Sequence, residues 1–250
     1  MLTSALLVLA LAQTPQHRLF LQPNLPRGGG VALCDALASG DKAGNWWCMK
    51  GDGTMASGSA VTLTATGSPT NTIENGWPVR TYTSTQNDQE PANVAFPASD
   101  FSVCQHLRPG TVAVSQLAVF GTTGAAATNS TLPFEVQSGA GNLVSYVSDG
   151  VAQSSFASTP ALTAGRWDVL CFTYQRVGGA TNNVATVYLN GISIASSSTA
   201  RLAQALVSVW TTNGYAGGGV GMAKAVRGAF VTYKLLSAAD IARITAGMAP

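Results

Sequence analysis

The chain has 250 residues, only 10% of them charged, and a formal net charge of +2. An average globular domain carries roughly 25% charged residues, so this composition is typical of a secreted, cell-surface or virion β protein and argues against a cytosolic enzyme. The basic residues are scattered singly along the chain, which argues against nucleic acid or an anionic membrane surface as the partner.

The N-terminus is an apolar run, residues 1–12, that ends in Ala10-x-Ala12. This ending is the pattern of a signal peptidase site. The run cannot span a bilayer as a helix, which needs about 20 apolar residues. We therefore expect residues 1–12 to be a signal peptide, with a retained N-terminal arm as the alternative. We expect residues 13–60 to form a loop-rich extension and residues 61–250 to form one β domain.

Four cysteines, Cys34, Cys48, Cys104 and Cys171, occur without any Cys-x-x-Cys pair. The chain has only two histidines, so disulfides are favoured over a zinc site. Cys34 and Cys48 are the local pair, and we predict a bridge between them that closes the stretch around Trp46 and Trp47.

Beyond residue 60, short runs rich in Val, Thr, Tyr and Phe alternate with Gly, Asn, Pro and Ser clusters, which predicts an all-β sandwich. Strands are predicted at residues 61–65, 79–83, 101–107, 111–120, 132–137, 143–147, 167–174, 184–189, 192–195, 206–211 and 226–233. Asn190-Gly191 predicts a type I′ hairpin turn.

One helix is predicted near the C-terminus. Ser237 is the expected N-cap, Asp240 its capping-box partner, and Gly247 the terminator. Ile241 and Ile244 would then face the sandwich.

Five motifs follow one another in the second half of the chain: Phe-Ser-Val-Cys104, Gly165-Arg-Trp-Asp-Val-Leu-Cys171-Phe-Thr-Tyr, Val187-Tyr-Leu-Asn-Gly191, Arg227-Gly-Ala-Phe-Val231 and Leu236-Ser-Ala-Ala-Asp-Ile241. Together they resemble the concanavalin A-like jelly rolls, and within them the laminin-G-like and pentraxin-like groups, over roughly residues 80–247. The resemblance implies a two-sheet antiparallel jelly-roll sandwich with one short C-terminal helix. In pentraxins the cysteines at these two strand positions are bonded, so the resemblance also implies a Cys104–Cys171 disulfide.

Catalytic chemistry is not indicated. Glycosidases of this superfamily resemble one another in a Glu-x-Asp-x-x-Glu strand, which is missing from this sequence. Asp88 and Glu90 would share a face if extended, but Pro91 follows, and we interpret the stretch as a solvated loop. His106, on the strand of Cys104, is interpreted as a core or rim histidine. The chain is expected not to be an enzyme, and a degenerate glycosidase that uses Asp88 or Glu90 is the outside alternative.

Calcium is the usual cofactor that the resemblance implies. Pentraxin-like proteins hold it with acids and amides between the hairpin and the last strands, but residues 196–227 contain neither Asp nor Glu here. We therefore predict no metal and no cofactor. Asp52, Asp88 and Glu90 are outside candidates for a calcium site.

The remaining candidates for ligand binding are aromatic and amide side chains: Trp46, Trp47, Trp210, Asn213 and Tyr215. Their rings could stack on a sugar, whereas Trp77 and Trp167 are interpreted as core. The sequence favours an exported, non-catalytic recognition module, extracellular or on the cell surface, that binds a glycan or a protein surface ligand. The alternative is a structural protein of a virion or a cell-surface appendage that forms a homo-oligomer or a larger assembly.

Overall fold

The computed structural model describes residues 32–44, 46–58, 61–90, 99–110, 117–122, 134–139, 142–148, 152–158, 161–178, 181–201, 210–213 and 221–248. The predicted signal peptide and Tyr215 lie outside these residues. The described strands are β1 (Trp47–Lys50), β2 (Met55–Ser57), β3 (Thr64–Thr66), β4 (Thr70–Glu74), β5 (Trp77–Tyr82), β6 (Asn87–Gln89), β7 (Phe101–Pro109), β8 (Leu117–Thr122), β9 (Phe134–Gly139), β10 (Asn142–Ser148), β11 (Gln153–Ser158), β12 (Asp168–Gln175), β13 (Asn183–Leu189), β14 (Ile192–Ala200), β15 (Trp210–Thr211) and β16 (Lys224–Thr232). One helix, α1 (Ala238–Ala246), follows them.

The strands form two antiparallel sheets. The large sheet has the order β14-β13-β12-β7-β16-β1-β2, with β5 also paired to β16 and β4 paired to β5. The small sheet has the order β11-β10-β9-β8-β15-β6-β3. The predicted two-sheet antiparallel sandwich with one short C-terminal helix is confirmed.

The main core lies between the two sheets. Successive side chains of a strand point to opposite faces, so every second residue of a central strand enters this core. On β12 these residues are Leu170, Phe172 and Tyr174, and Phe101 on β7 stacks against both aromatic rings. The alternation of β7 and β12 therefore leaves a second set of side chains on the outer face of the large sheet.

That outer face carries a second apolar cluster, which we call the outer cluster. It contains Cys104, Cys171 and Phe230 from the sheet, and it is covered by Ile241 and Ile244 of α1 and by the segment that carries Leu33 and Leu37. Both disulfides, Cys34–Cys48 and Cys104–Cys171, lie in this cluster. Cys104 and Cys171 are direct cross-strand partners on β7 and β12. The pairings that the sequence and the resemblance suggested are therefore present.

Helix α1 begins and ends as the sequence predicts. The Ser237 hydroxyl accepts a hydrogen bond from the Asp240 backbone N–H, and the Asp240 carboxylate accepts one from the Ser237 N–H. Gly247 follows the last turn. Ile241 and Ile244 are fully buried, so the amphipathic face of the helix covers the sheet as expected.

The N-terminal boundary of the β domain differs from the prediction. The sequence predicts a loop-rich extension over residues 13–60, but β1 and β2 extend the large sheet beside β16. Strands β4, β6 and β11 were also missed because they are short or polar, and polar runs resemble loops in a sequence. Among the described residues, no helix is long and apolar enough to cross a membrane.

Candidate ligand-binding site

The predicted surface aromatics lie mostly inside the protein. Trp47 and Trp210 are each 2% exposed. The Trp47 Nε1 donates to Glu90 Oε1 at 2.6 Å, and the Trp210 ring packs edge-on against Phe101 at 5.5 Å. Burial leaves neither ring a face for a ligand, so the stacking role predicted for these two residues does not fit their position.

Two other predicted ligand residues also have local partners. Asn213 is buried, and its amide donates to the Thr83 and Gln86 carbonyl oxygens and accepts from the Met222 N–H. It therefore fixes a loop from within. Trp46 is half-buried with the Lys42 ammonium 5.0 Å from its ring centroid.

The acids interpreted as a solvated loop are buried instead. Asp88 accepts hydrogen bonds from the Arg80 guanidinium and the Tyr82 hydroxyl, while Glu90 accepts from Trp47 Nε1 and the Trp210 N–H. The loop interpretation is wrong, because β5 and β15 supply partners that the local sequence does not reveal. Burial raises the pKa of Glu90 to about 7, although both hydrogen bonds oppose the shift.

A pocket of about 250 Å³ opens on the outer side of the large sheet, beside the outer cluster. Its walls include His106, Arg166, Trp167, Asn190, Thr245 and Met248. These residues come from β7, the approach to β12, the β13–β14 turn and the end of α1. We call this cavity the outer pocket.

Strand alternation positions the floor of the outer pocket. His106 lies two residues beyond Cys104 and faces Val169, which lies two residues before Cys171. Both pairs therefore point to the outer face. The Cys104–Cys171 disulfide fixes β7 and β12 directly next to the pocket.

The hairpin turn provides the rim. Asn190 and Gly191 both have positive φ angles, 52° and 84°, as the predicted type I′ turn requires. A Cβ atom on residue 191 would lie 2.4 Å from Thr245 Oγ1, so glycine also permits α1 to approach the turn.

Asp168 holds two pocket side chains in place. Its carboxylate side chain has no exposed surface and accepts hydrogen bonds from Arg166 Nε at 2.9 Å and Asn190 Nδ2 at 2.8 Å. Asn190 Oδ1 accepts from the Val169 N–H at 2.8 Å. Asp168 is thus a positioning residue, whereas Arg166 is 51% exposed and accessible to a ligand.

Trp167 lies among cations. The guanidinium carbons of Arg227 and Arg108 are 4.0 Å and 5.1 Å from its ring centroid. The His106 ring meets it edge-on at 5.2 Å. Burial first, and the Arg227 charge second, lower the pKa of His106 to about 4, so the imidazole is neutral at pH 7.

The sequence did not identify this site. The sequence predicts Trp167 as core, but the ring is half-buried, because α1 and the N-terminal segment cover only part of the outer face. The Arg-Trp-Asp order at residues 166–168 was the available signal, since it puts an aromatic ring between two groups that form hydrogen bonds. Among the described residues, no group of three or more His, Cys, Asp or Glu side chains is placed to hold a metal ion.

Comparison with known families decides the fold. The laminin G family model of the concanavalin A-like lectin/glucanases superfamily matches residues 81–242. The chain belongs to this superfamily. The matched region contains the wall residues of the outer pocket except Thr245 and Met248. No curated protein matches the sequence.

Solved structures resemble this concanavalin A-like chain in fold. The binding domain of Paraclostridial Mosquitocidal Protein 1 has a TM-score of 0.61 at 12% identity, with 82% of this chain and 52% of that chain covered. The receptor binding domain of botulinum neurotoxin mosaic serotype C/D has a TM-score of 0.61 at 14% identity, with 84% and 52% covered. The ligand binding domain of serotype D, solved in complex with N-acetylneuraminic acid, has a TM-score of 0.58 at 12% identity, with 83% and 51% covered. The chain spans about half the length of these structures.

Proposed function

We propose that this chain is an exported, non-catalytic recognition module that binds carbohydrate in the outer pocket. The observation that carries the proposal is the arrangement around Trp167, in which a half-buried indole lies beside Arg166 and Asn190 at the wall of one cavity.

The chemistry of the outer pocket suits a sugar. Aromatic rings pack against the apolar C–H face of a pyranose, and nearby polar groups fix the orientation of its hydroxyls. Arg166 offers donors, and the Asn190 amide lies beside it through their common bond to Asp168. The arrangement is held before a ligand arrives, which lowers the entropy cost of binding.

Binding without catalysis is supported by the positions of the carboxylates. Glycoside hydrolysis needs two carboxyl groups on either side of the scissile bond. Asp168 is fully buried beneath Arg166 and Asn190, and Asp88 and Glu90 are buried among partners away from the outer pocket walls. Asp168 lines that pocket, but its side chain has no exposed surface, so the described walls do not offer a sugar a pair of carboxyl groups.

Export is supported by the two disulfides, which persist in oxidising compartments. The fold is also that of the toxin binding domains named above. Botulinum neurotoxin type C, whose structure has a similar fold, depends for cell entry on interaction with two ganglioside molecules. That ligand belongs to the toxin, and it motivates a broad glycan search for this chain.

A printed glycan array probed with the oxidised protein tests the proposal, with and without calcium. We expect a subset of glycans to bind. Met248→Trp should abolish this binding, because the new ring occupies the outer pocket from the end of α1. Val177→Trp is the matched control, since Val177 is exposed beyond the opposite end of β12. Absence of binding by the wild type, or equal binding by both variants, would contradict the proposal.

A further inference from the structure

Three arginines gather around Trp167 in a chain with few charges. Arg166 lines the outer pocket, Arg227 packs on the Trp167 ring, and Arg108 lies 5.1 Å from the same ring. Among the described residues, the carboxylates in contact with this group are Asp168, bound to Arg166, and Glu74, bound to Arg108 at 2.6 Å. Two of the three positive charges therefore have a negative partner.

Arg227 is the third cation, and no carboxylate of the described residues lies within salt-bridge distance of it. It is only 6% exposed, and its Nε makes no hydrogen bond within the described part of the chain. Its guanidinium is held between two indoles, 4.0 Å from the Trp167 centroid and 5.7 Å from the Trp77 centroid. Cation–π contacts offset only part of the cost of burying a charge.

The excess positive charge lies directly behind the wall of the outer pocket. Arg227 contacts the ring of Trp167, which lines the cavity, and its charge also acts on His106 in the same wall. The lowered pKa of His106 has the Arg227 charge as its second cause. The positive charge of Arg227 disfavours a cation on His106, and by the same electrostatic interaction it favours an anion in the pocket. The interaction is stronger than it would be in water, because it passes through protein.

Arg166 provides the direct contact. Asp168 accepts from its Nε, and its two terminal nitrogens have no hydrogen bond within the described residues. A guanidinium anchored in this way presents a planar pair of donors that matches a carboxylate or a sulfate.

The geometry points to an anionic saccharide as the ligand of the outer pocket, with its carboxylate or sulfate bound by Arg166 and its charge compensating Arg227. This inference rests on the proposed function. It adds that one charged substituent of the sugar, rather than its hydroxyl pattern alone, sets affinity.

Matched ligands that differ in charge test the inference by isothermal titration. The carboxylate arm compares the methyl glycoside of N-acetylneuraminic acid with its methyl ester, and methyl glucuronide with methyl glucoside. The sulfate arm compares galactose 6-sulfate with galactose. We expect the charged member of at least one pair to bind about tenfold more tightly, which is the size of one charge-assisted hydrogen-bonded pair. The arm that shows the preference identifies the anion.

Two variants assign the preference to Arg227. Arg227→Met keeps an apolar stem between the two indoles and should abolish the preference, whereas Arg227→Lys keeps the charge and should retain most of it. Arg176→Met removes one charge at the opposite end of β12, about 25 Å away at about 3.3 Å per residue, and should change nothing. Thermal melts of all variants confirm folding before titration.

Each remaining outcome counts against the inference. Equal binding of charged and neutral members, lost in Met248→Trp, would overturn it and leave the carbohydrate function intact. A preference that survives Arg227→Met would overturn the role of that residue. Absence of binding by every saccharide, on the array and by titration, would overturn the proposed function together with the inference.

Discussion

The Arg227 guanidinium carbon lies 4.0 Å from the centroid of the Trp167 ring, on the outer face of the large sheet. This contact joins β16 to the segment that leads into β12 and places a buried cation behind the outer pocket. The pair therefore contributes both to the fold and to the field at the candidate site.

The contribution of this pair to stability can be isolated by a double-mutant cycle. We expect Trp167→Leu to lower the free energy of unfolding by more in the wild type than in Arg227→Met, with a coupling of about 1–2 kcal/mol, the range for a desolvated cation–π pair. Urea unfolding of the wild type, both single variants and the double variant measures it. Additive effects would show that the two side chains do not stabilise each other.

The pH dependence of stability should reveal Glu90. Its pKa is raised from 4.5 to about 7, so the folded state holds a proton that the unfolded state releases. Glu90 therefore opposes folding as pH rises from 4.5 to 7, by about 3 kcal/mol over the window. Glu90→Gln should remove this loss, so that the variant gains stability relative to the wild type as pH rises.

The contribution of His106 to stability changes with pH in the opposite direction, so it must be measured separately from that of Glu90. Its pKa is lowered from 6.5 to about 4, so between these two pH values His106 is neutral in the folded state and protonated in the unfolded state. Its contribution to stability therefore rises between pH 4 and 6.5. Urea unfolding of the wild type, Glu90→Gln and His106→Gln across pH 4–8 separates the two slopes. Parallel curves for all three proteins would refute both assignments.

The two disulfides should differ in their effect. Cys104–Cys171 closes a separation of 67 residues and Cys34–Cys48 one of 14. In the chain-entropy model these loops correspond to about 4 and about 3 kcal/mol. We expect the alanine pair at 104 and 171 to destabilise the protein more than the pair at 34 and 48. Equal losses in urea unfolding would argue against the loop-length account.

Much of the scaffold could be predicted because its signals are local. The Asn190-Gly191 turn, the capping box of α1 and the alternation around Cys104 and Cys171 are each contained in a few consecutive residues. The ligand site could not be predicted in the same way. Trp47 and Trp210 are buried because distant strands cover them, while Trp167 lines a cavity because α1 ends beside it.

The burial of Asp88 and Glu90 could not be predicted from the sequence for the same reason. Asn-Asp-Gln-Glu at residues 87–90 is a polar run, and a polar run usually lies in solvent. Here Arg80 and Tyr82 on β5 and Trp47 on β1 satisfy its carboxylates. Residues 87–90 alone do not indicate these partners, because Trp47 is distant in the sequence and Arg80 and Tyr82 belong to another strand.

The turn that carries Asn190 offers a further test. Asn190→Gly keeps a residue suited to the positive φ of 52° but removes the hydrogen bonds to Asp168 and Val169, and we expect a loss of about 1 kcal/mol. Asn190→Ala should cost about 1 kcal/mol more, because alanine disfavours that φ. Thermal unfolding compares them. Equal stability of the alanine and glycine variants would show that the positive φ at residue 190 does not disfavour alanine.

The most direct test of the central claim follows the indole N–H resonances by NMR during titration with a glycan that binds on the array. The chain has five tryptophans, so each resonance can be assigned by substitution. Binding in the outer pocket predicts that the Trp167 resonance shifts with ligand while those of the buried Trp47 and Trp210 stay fixed. A shift at Trp46 with Trp167 unmoved would place the ligand elsewhere and contradict the assignment.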